Sequence, residues 1–250
     1  MAKPRLPTKT DFPSNLTIDI TPPPQSTPPL NILLLLHGLG DTHTPFTRLA
    51  AQLQLPSTAC ISLRGPHPIP AIFTGSETPS FHWGDDVLVD ERKGEIELDA
   101  GFATTARLLE QVVEGLTTRC GFPERGLLFL GFGQGAMAAL SFLSSQSPEK
   151  EFGGVVSIGG RLPSSASSAS SSTARKAKTP VLLLGGSGSA EVTRSAVDAV
   201  KARFGEVEYV KWAKREDSMP GSREEMLPIM KFFARRLRSR AGVPEGAVEI

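Results

Sequence analysis

From residue 16 to residue 238 the chain alternates short, nearly unbroken apolar runs with longer stretches whose apolar residues recur every three to four positions. The short runs are LTIDI, NILLLLHG, TACISLRG, GLLFLGF, GGVVSIGG, TPVLLLGG and VEYVKWA. The stretches between them include PFTRLAAQLQL, ELDAGFATTARLLEQVVEGLTTRCG, QGAMAALSFLSSQ, AEVTRSAVDAVKARFG and REEMLPIMKFFARRLRSR. In the second of these, Phe102, Leu108, Leu109, Val112, Val113 and Leu116 fall at helical spacing, and a glycine follows. A run without polar alternation predicts a strand buried on both faces. Strands of that kind alternating with helices predict an α/β protein with a mainly parallel, doubly covered sheet in a single domain. LTIDI, whose pattern is mixed, reads as an edge strand. Residues 66–93 carry prolines, Trp83 and paired aspartates without either period, and read as irregular.

The remaining segments set the domain limits. Residues 1–14 read as a flexible N-terminal segment, 15–238 as the domain and 239–250 as a C-terminal tail. The run SSASSASSSTARKAK, residues 164–178, is too polar to pack and reads as a mobile surface loop, because the alternation resumes directly after it.

Composition removes several function classes. Lys plus Arg number 27 against 26 Asp plus Glu, a net charge of +1, which gives no reason to expect nucleic acid or an anionic membrane as partner. Cys60 and Cys120 make no disulfide framework and no zinc-ligand spacing, and read as buried thiols of a reducing compartment. The first residues lack the apolar core of a secretory signal, and every apolar run is too short for a membrane span. These features point to a soluble, cytoplasmic protein without a transmembrane segment.

The stretch LLFLGFGQGAM carries the candidate chemistry. A strand, spaced glycines and a helix start form the frame of a nucleophile elbow, in which G-x-S-x-G sets a serine on a tight turn. Here Gly131 and Gly135 stand in the glycine positions, and the middle residue is Gly133.

With this elbow go LLLLHGLGDTHTPF, RGPHPIP, PSFHWGDD and the terminal EEMLPIMKFFARRL, in that order. Together they resemble the acyl-protein thioesterase and carboxylesterase family of small α/β-hydrolases over roughly residues 15–238. The resemblance implies the α/β-hydrolase fold and a Ser-Asp-His triad in which serine attacks, histidine takes its proton and aspartate orients the imidazole. Carried over by position, the serine falls at Gly133, the aspartate at Ser189 and the histidine closest to Asp217. The four histidines, His37, His43, His67 and His82, all precede the elbow, so no register supplies a C-terminal base. The resemblance also implies an oxyanion hole from the N–H groups of Gln134 and Leu39, neither of which depends on a side chain.

Other polar residues have plainer readings. His37 ends a buried strand and reads as a partner of the loop it precedes. His82, Trp83, Asp85 and Asp86 form one cluster, with Trp83 a pocket wall or core aromatic and the aspartates solvated or helix-capping. GGSGSAEV reads as a plain turn rather than a phosphate loop. No metal or cofactor is expected.

Two functions stay open. The first is a catalytically inactive homologue that binds an acyl or lipid ligand, or a protein partner, through Leu39, His82, Trp83, Gly133 and Gln134. The second is an active ester or thioester hydrolase that uses His82 with Asp85 or Asp86.

Overall fold

The computed structural model describes residues 4–25, 28–75, 77–90, 94–164, 166 and 175–239. Its centre is a seven-stranded sheet. The strands are β1 (Ile18–Thr21), β2 (Asn31–Leu36), β3 (Thr58–Leu63), β4 (Leu127–Phe132), β5 (Gly154–Ile158), β6 (Val181–Gly185) and β7 (Val207–Lys211). In space they run β1-β3-β2-β4-β5-β6-β7. All pairs are parallel except β1 with β3, where Ile18 opposes Leu63. This is the mainly parallel sheet that the apolar runs predict, with LTIDI at its edge.

Five helices cover it: α1 (Thr44–Leu53), α2 (Ala103–Glu114), α3 (Gln134–Ser145), α4 (Arg194–Arg203) and α5 (Arg223–Arg236). Successive strand residues point to opposite faces. Ile32, Leu34, Leu36, Ile61 and Phe129 therefore join one core with Leu109, Val112, Met137, Leu140 and Val200 of α2, α3 and α4. Leu33, Leu35, Leu130, Ile158 and Leu184 join a second core with Phe46 and Ala50 of α1 and Ile229, Phe232 and Phe233 of α5. With apolar partners on both faces, polar alternation in these strands would place polar groups in a core, which explains the unbroken runs.

Three segments differ from the sequence reading. The stretch 97–121 is helical only from Ala103, and its last turn, Gly115–Arg119, is a π-helix. Its entry is deferred because the chain turns at Gly101 (φ 76°) and the helix takes its cap from Asp85. Residues 66–93, read as irregular, contain a two-residue ribbon pairing His67 with His82 and Pro68 with Phe81. The N-terminal segment expected to be flexible packs on the domain from residue 4 onward. Arg5 donates to Cys120 O at 3.1 Å and to Asp11 Oδ2 at 2.9 Å, and Arg119 Nη1 donates to Asp11 O. Asp11 and Phe12 are buried. Of the Ser-rich loop, residues 164, 166 and 175–178 are described, and its end packs, with Ala177 buried and bridged to Phe204; of the tail only residue 239 is described.

The sheet order positions the site. From β2 the chain moves outward to β3, whereas from β4 it moves the other way to β5. The carboxyl ends of β2 and β4 thus form the switch point of the sheet, the place where open parallel sheets generally bind ligands.

Candidate functional site

The switch point begins with three glycines that are needed for different reasons. A Cβ on Gly131 would lie 2.5 Å from the Ala136 N and Cα, and one on Gly135 would lie 2.3 Å from His37 O. Strand β4 and helix α3 approach too closely for any side chain at either place. Gly133 is different. A Cβ there would find only the Gly38 Cα, at 4.0 Å, yet its backbone sits at φ 51°, ψ −119°, a conformation that strains any residue with a Cβ. The Gly133 N–H donates to Ile158 O at 2.8 Å, which fixes the turn against β5. The elbow is thus complete in backbone geometry and empty in side chain.

Gln134 opens α3, so its N–H belongs to the first turn, whose donors have no intrahelical partner. The side chain is not free. Gln134 Oε1 accepts from Trp83 N at 2.8 Å, and Nε2 donates to Leu98 O at 3.1 Å. Trp83 is fully buried, donates from Nε1 to His37 O at 2.8 Å and accepts from Thr105 Oγ1 at 2.6 Å. These bonds tie the lobe after β3 to the elbow's floor. Trp83 is therefore a core aromatic and not a pocket wall. The Trp83 side chain, expected among the ligand-binding residues, carries scaffold bonds, as does the Gln134 side chain, whose expected role rests on its backbone N–H alone.

His37 takes the plain role the sequence assigns. Its Nδ1 donates to Gly38 O at 2.7 Å while Nε2 accepts from Gly65 N at 2.9 Å, an arrangement that requires the neutral ring. Burial pushes its pKa down to about 4. The ring holds the β2 loop in place, with the Gly38 Cα 4.0 Å from where a Cβ on Gly133 would stand.

Ser189 and Asp217, which come from different turns, meet. Ser189 Oγ donates to Asp217 Oδ2 at 2.5 Å and accepts from Val192 N at 2.8 Å, while Asp217 Oδ1 accepts from Gly186 N at 2.8 Å. Asp217 also packs against Gly159, just past β5, whose neighbour Gly160 adjoins the elbow. A Cβ on Gly159 would lie 2.7 Å from Asp217 Cβ, and one on Gly160 would lie 2.8 Å from Gly133 O. Gly133, Leu39, Ser189 and Asp217 are each partly exposed.

The His82 cluster is built differently. His82 is buried, its ring centroid 5.3 Å from that of His67, and burial followed by the neighbouring imidazole lowers its pKa. Asp85 accepts from Ala103 N and Thr104 N, both at 2.7 Å, and so caps α2. Burial opposes ionisation of Asp85, but the two backbone donors more than offset it and its pKa falls. Asp86 Oδ1 accepts from Val87 N. Among the described residues, no group of three or more His, Cys, Asp or Glu is arranged to hold a metal ion.

A second set of charges links separate segments. Arg161, just past Gly160, donates to Glu191 Oε2 at 2.9 Å and to Asp99 Oδ2 at 3.2 Å. Asp99 also accepts from Ser164 N. No period in the sequence signals this clamp, because its members are separated by 30 and 62 residues.

Comparisons with known proteins agree with this geometry. The model of the phospholipase/carboxylesterase family matches residues 23–237. An uncharacterized hydrolase of Schizosaccharomyces pombe is 39% identical over 135 residues, 53% of this chain and 54% of its own. A second uncharacterized hydrolase, from Mycosarcoma maydis, is 33% identical over 147 residues, 57% of this chain and 53% of its own. The matched region thus spans about half the length of these curated relatives. Among solved structures, acyl-protein thioesterase 2 of Zea mays superposes with a TM-score of 0.63 at 24% identity, covering 89% of this chain and 99% of that one. SOBER1 of Arabidopsis thaliana gives 0.65 at 20% identity, covering 83% and 99%. Esterase PE8 gives 0.67 at 18% identity, covering 89% and 99%. At such identities the structures establish the α/β-hydrolase fold.

Proposed function

The chain belongs to the phospholipase/carboxylesterase family, and we propose that within this hydrolase family it binds an acyl ligand without hydrolysing it. The observation that carries this reading is Gly133. It occupies the elbow's strained turn at φ 51°, ψ −119°, with open space where a nucleophile's side chain would stand. Hydrolysis of the family type needs a nucleophile, a base to take its proton and a group to orient that base. The two further positions hold Ser189 and Asp217, hydrogen-bonded to each other. Neither supplies an imidazole, and no histidine follows His82 in the chain. What supports retained binding is the backbone: α3 begins at Gln134 directly after Gly133, and the Gly38 Cα lies 4.0 Å from the vacant position, so donors of the family type at Gln134 and Leu39 would depend on no side chain.

The alternative, hydrolysis through His82 with Asp85 or Asp86, has less support. His82 is 3% exposed and stacked near His67, and Asp85 is committed to the cap of α2. A protein partner in place of an acyl ligand is the remaining reading of the same site. The setting we infer is reducing and cytoplasmic. Burial raises the pKa of Cys60 to about 12 and, with Asp11 adding to it, that of Cys120 to about 11, so both thiols stay protonated. Among the described residues no helix is long and apolar enough to cross a membrane.

The test pairs a fluorophosphonate probe with thermal denaturation in the presence of medium-chain acyl ligands. The reading expects no covalently labelled serine and a dose-dependent rise in Tm. Specific labelling of one serine would support an active hydrolase. No Tm shift at millimolar ligand would point to a protein partner.

A further inference from the structure

We propose that the paired imidazoles of His67 and His82 form an acid-sensitive latch. Their protonation parts the two-residue ribbon and loosens the β2 loop that the ribbon supports at Gly40 and Asp41.

The ribbon has few backbone bonds to hold it. Its first strand lies in the stretch GPHPIP, residues 65–70, where every second residue is a proline. A proline has no N–H to give to a ladder, so along residues 66–70 only His67 and Ile69 can donate. Ile69 N does so, to Ser80 O at 2.8 Å. Side-chain contact between the strands therefore carries much of the pairing. His67 stands directly opposite His82, with the ring centroids 5.3 Å apart and the planes tilted by 35°. His82 is buried, and among the described residues the buried His67 Nε2 finds no hydrogen-bond partner.

The other edge of the ribbon reaches the β2 loop. Phe81 N donates to Asp41 O at 3.1 Å, and Gly40 N donates to Phe81 O at 3.0 Å. Phe81 is thus a middle strand with one flank on Pro68 and the other on Asp41. Parting His82 from His67 removes the first flank and weakens the second, and Leu39 lies one residue before Gly40.

Charge explains the sensitivity to acid. Two imidazolium ions at this separation repel, and burial disfavours each of them. The surrounding groups offset this only in part. Asp86 acts on His82 and His67 acts on Asp85, both carboxylates coming from the segment that follows the ribbon. Asp85 is bonded to Ala103 N and Thr104 N, and Asp86 to Val87 N. Asp41, beside Phe81, accepts from Thr42 N. Arg64 adds positive charge 4.3 Å from the centre of the Phe81 ring. Burial, then the neighbouring imidazole, lowers the His82 pKa in the closed ribbon. In the open ribbon His82 takes its proton near the ordinary value of about 6.5. The closed form is therefore fully favoured above that pH and loses ground below it.

The experiment follows amide hydrogen exchange of the full chain by NMR from pH 7.5 to pH 5, corrected for intrinsic rates. The amides of Ile69 and Phe81 should open about tenfold more often per pH unit below about pH 6, the slope set by one extra proton bound on opening. Amides of β4 should keep their protection across that range. Gly65 N, bonded to His37 Nε2, should keep its protection as well. In His67→Phe/His82→Phe, which retains two facing rings and binds no proton, the slope should fall below about twofold per pH unit. Exchange of Ile69 and Phe81 that ignores pH in the parent protein would overturn the latch. So would parallel loss of protection in β4, which is unfolding, or at Gly65, which is an opening at His37. A slope unchanged in the folded double variant would overturn it too. The parent's pH profile decides the matter even if the variant fails to fold.

Discussion

Gly131, Gly133 and Gly135 look alike in the sequence and differ in what replacing them would do. At Gly135 a methyl group would lie 2.3 Å from His37 O, so Gly135→Ala must push α3 away from the β2 loop. Overpacking of that kind costs about 2–3 kcal/mol. At Gly133 the space is open and only the backbone objects. Gly133→Ser and Gly133→Ala should therefore fold and lose about 1 kcal/mol each. Chemical denaturation of the three variants beside the parent checks the order, and a Gly133 variant as damaged as Gly135→Ala would contradict it. Gly133→Ser should also gain no esterase activity, because no histidine follows the elbow in the sequence to take the serine's proton. His37 gives a second check at this scale. Its folded pKa of about 4 lies below the ordinary value of about 6.5, so the unfolded chain binds the extra proton first. Its contribution to stability is full above about pH 6.5 and declines as the pH falls toward 4. An NMR titration should find the His37 ring neutral down to about pH 4; protonation near 6.5 would mean that the bonds to Gly38 and Gly65 are not as described.

At the scale of elements, helix α2 depends on a residue far from it in the chain. Asp85 accepts from Ala103 N and Thr104 N, so Asp85→Ala should cost about 1–2 kcal/mol at pH 7. Because the folded pKa is depressed, this stabilisation is present above the unfolded value near 4 and is lost as pH falls through the folded one. The deficit of the variant, measured by denaturation across pH, should accordingly shrink below about pH 4. A deficit independent of pH would argue against a charged cap. The same contact explains where the sequence was legible and where it was not. The strands could be read because β2 to β6 are buried on both faces and carry no polar break. The start of α2 could not, because its cap lies 18 residues upstream. Trp83 could be read as aromatic core or as pocket wall with equal justice, since only its bonds to His37 O and Gln134 Oε1 distinguish the two. The elbow's strand-turn-helix frame was legible, but the close approaches that require glycine at 131 and 135 were not. The pairing of Ser189 with Asp217 was not, because positions carried over from a family say which loops converge and not which atoms bond.

In the whole molecule, the sheet order brings these pieces to one place. The reversal between β2 and β4 creates the switch point, and His37 and the Trp83–Gln134 bonds fix the segments around it. The Arg161 bonds to Asp99 and Glu191 then join further segments. On the function proposed here, this framework holds a ligand without supplying a nucleophile. Loss of a triad alone does not make a hydrolase inert, since triad-deleted hydrolases retain about 10³–10⁴-fold acceleration over water. The central claim is therefore one of magnitude. Its most direct test is steady-state hydrolysis of an activated short-chain ester by the purified protein, measured beside an intact member of the phospholipase/carboxylesterase family. The account predicts turnover below about 10⁻⁴ of that enzyme's. Turnover comparable to the intact enzyme's, abolished by His82→Ala, would show a working base where we place none.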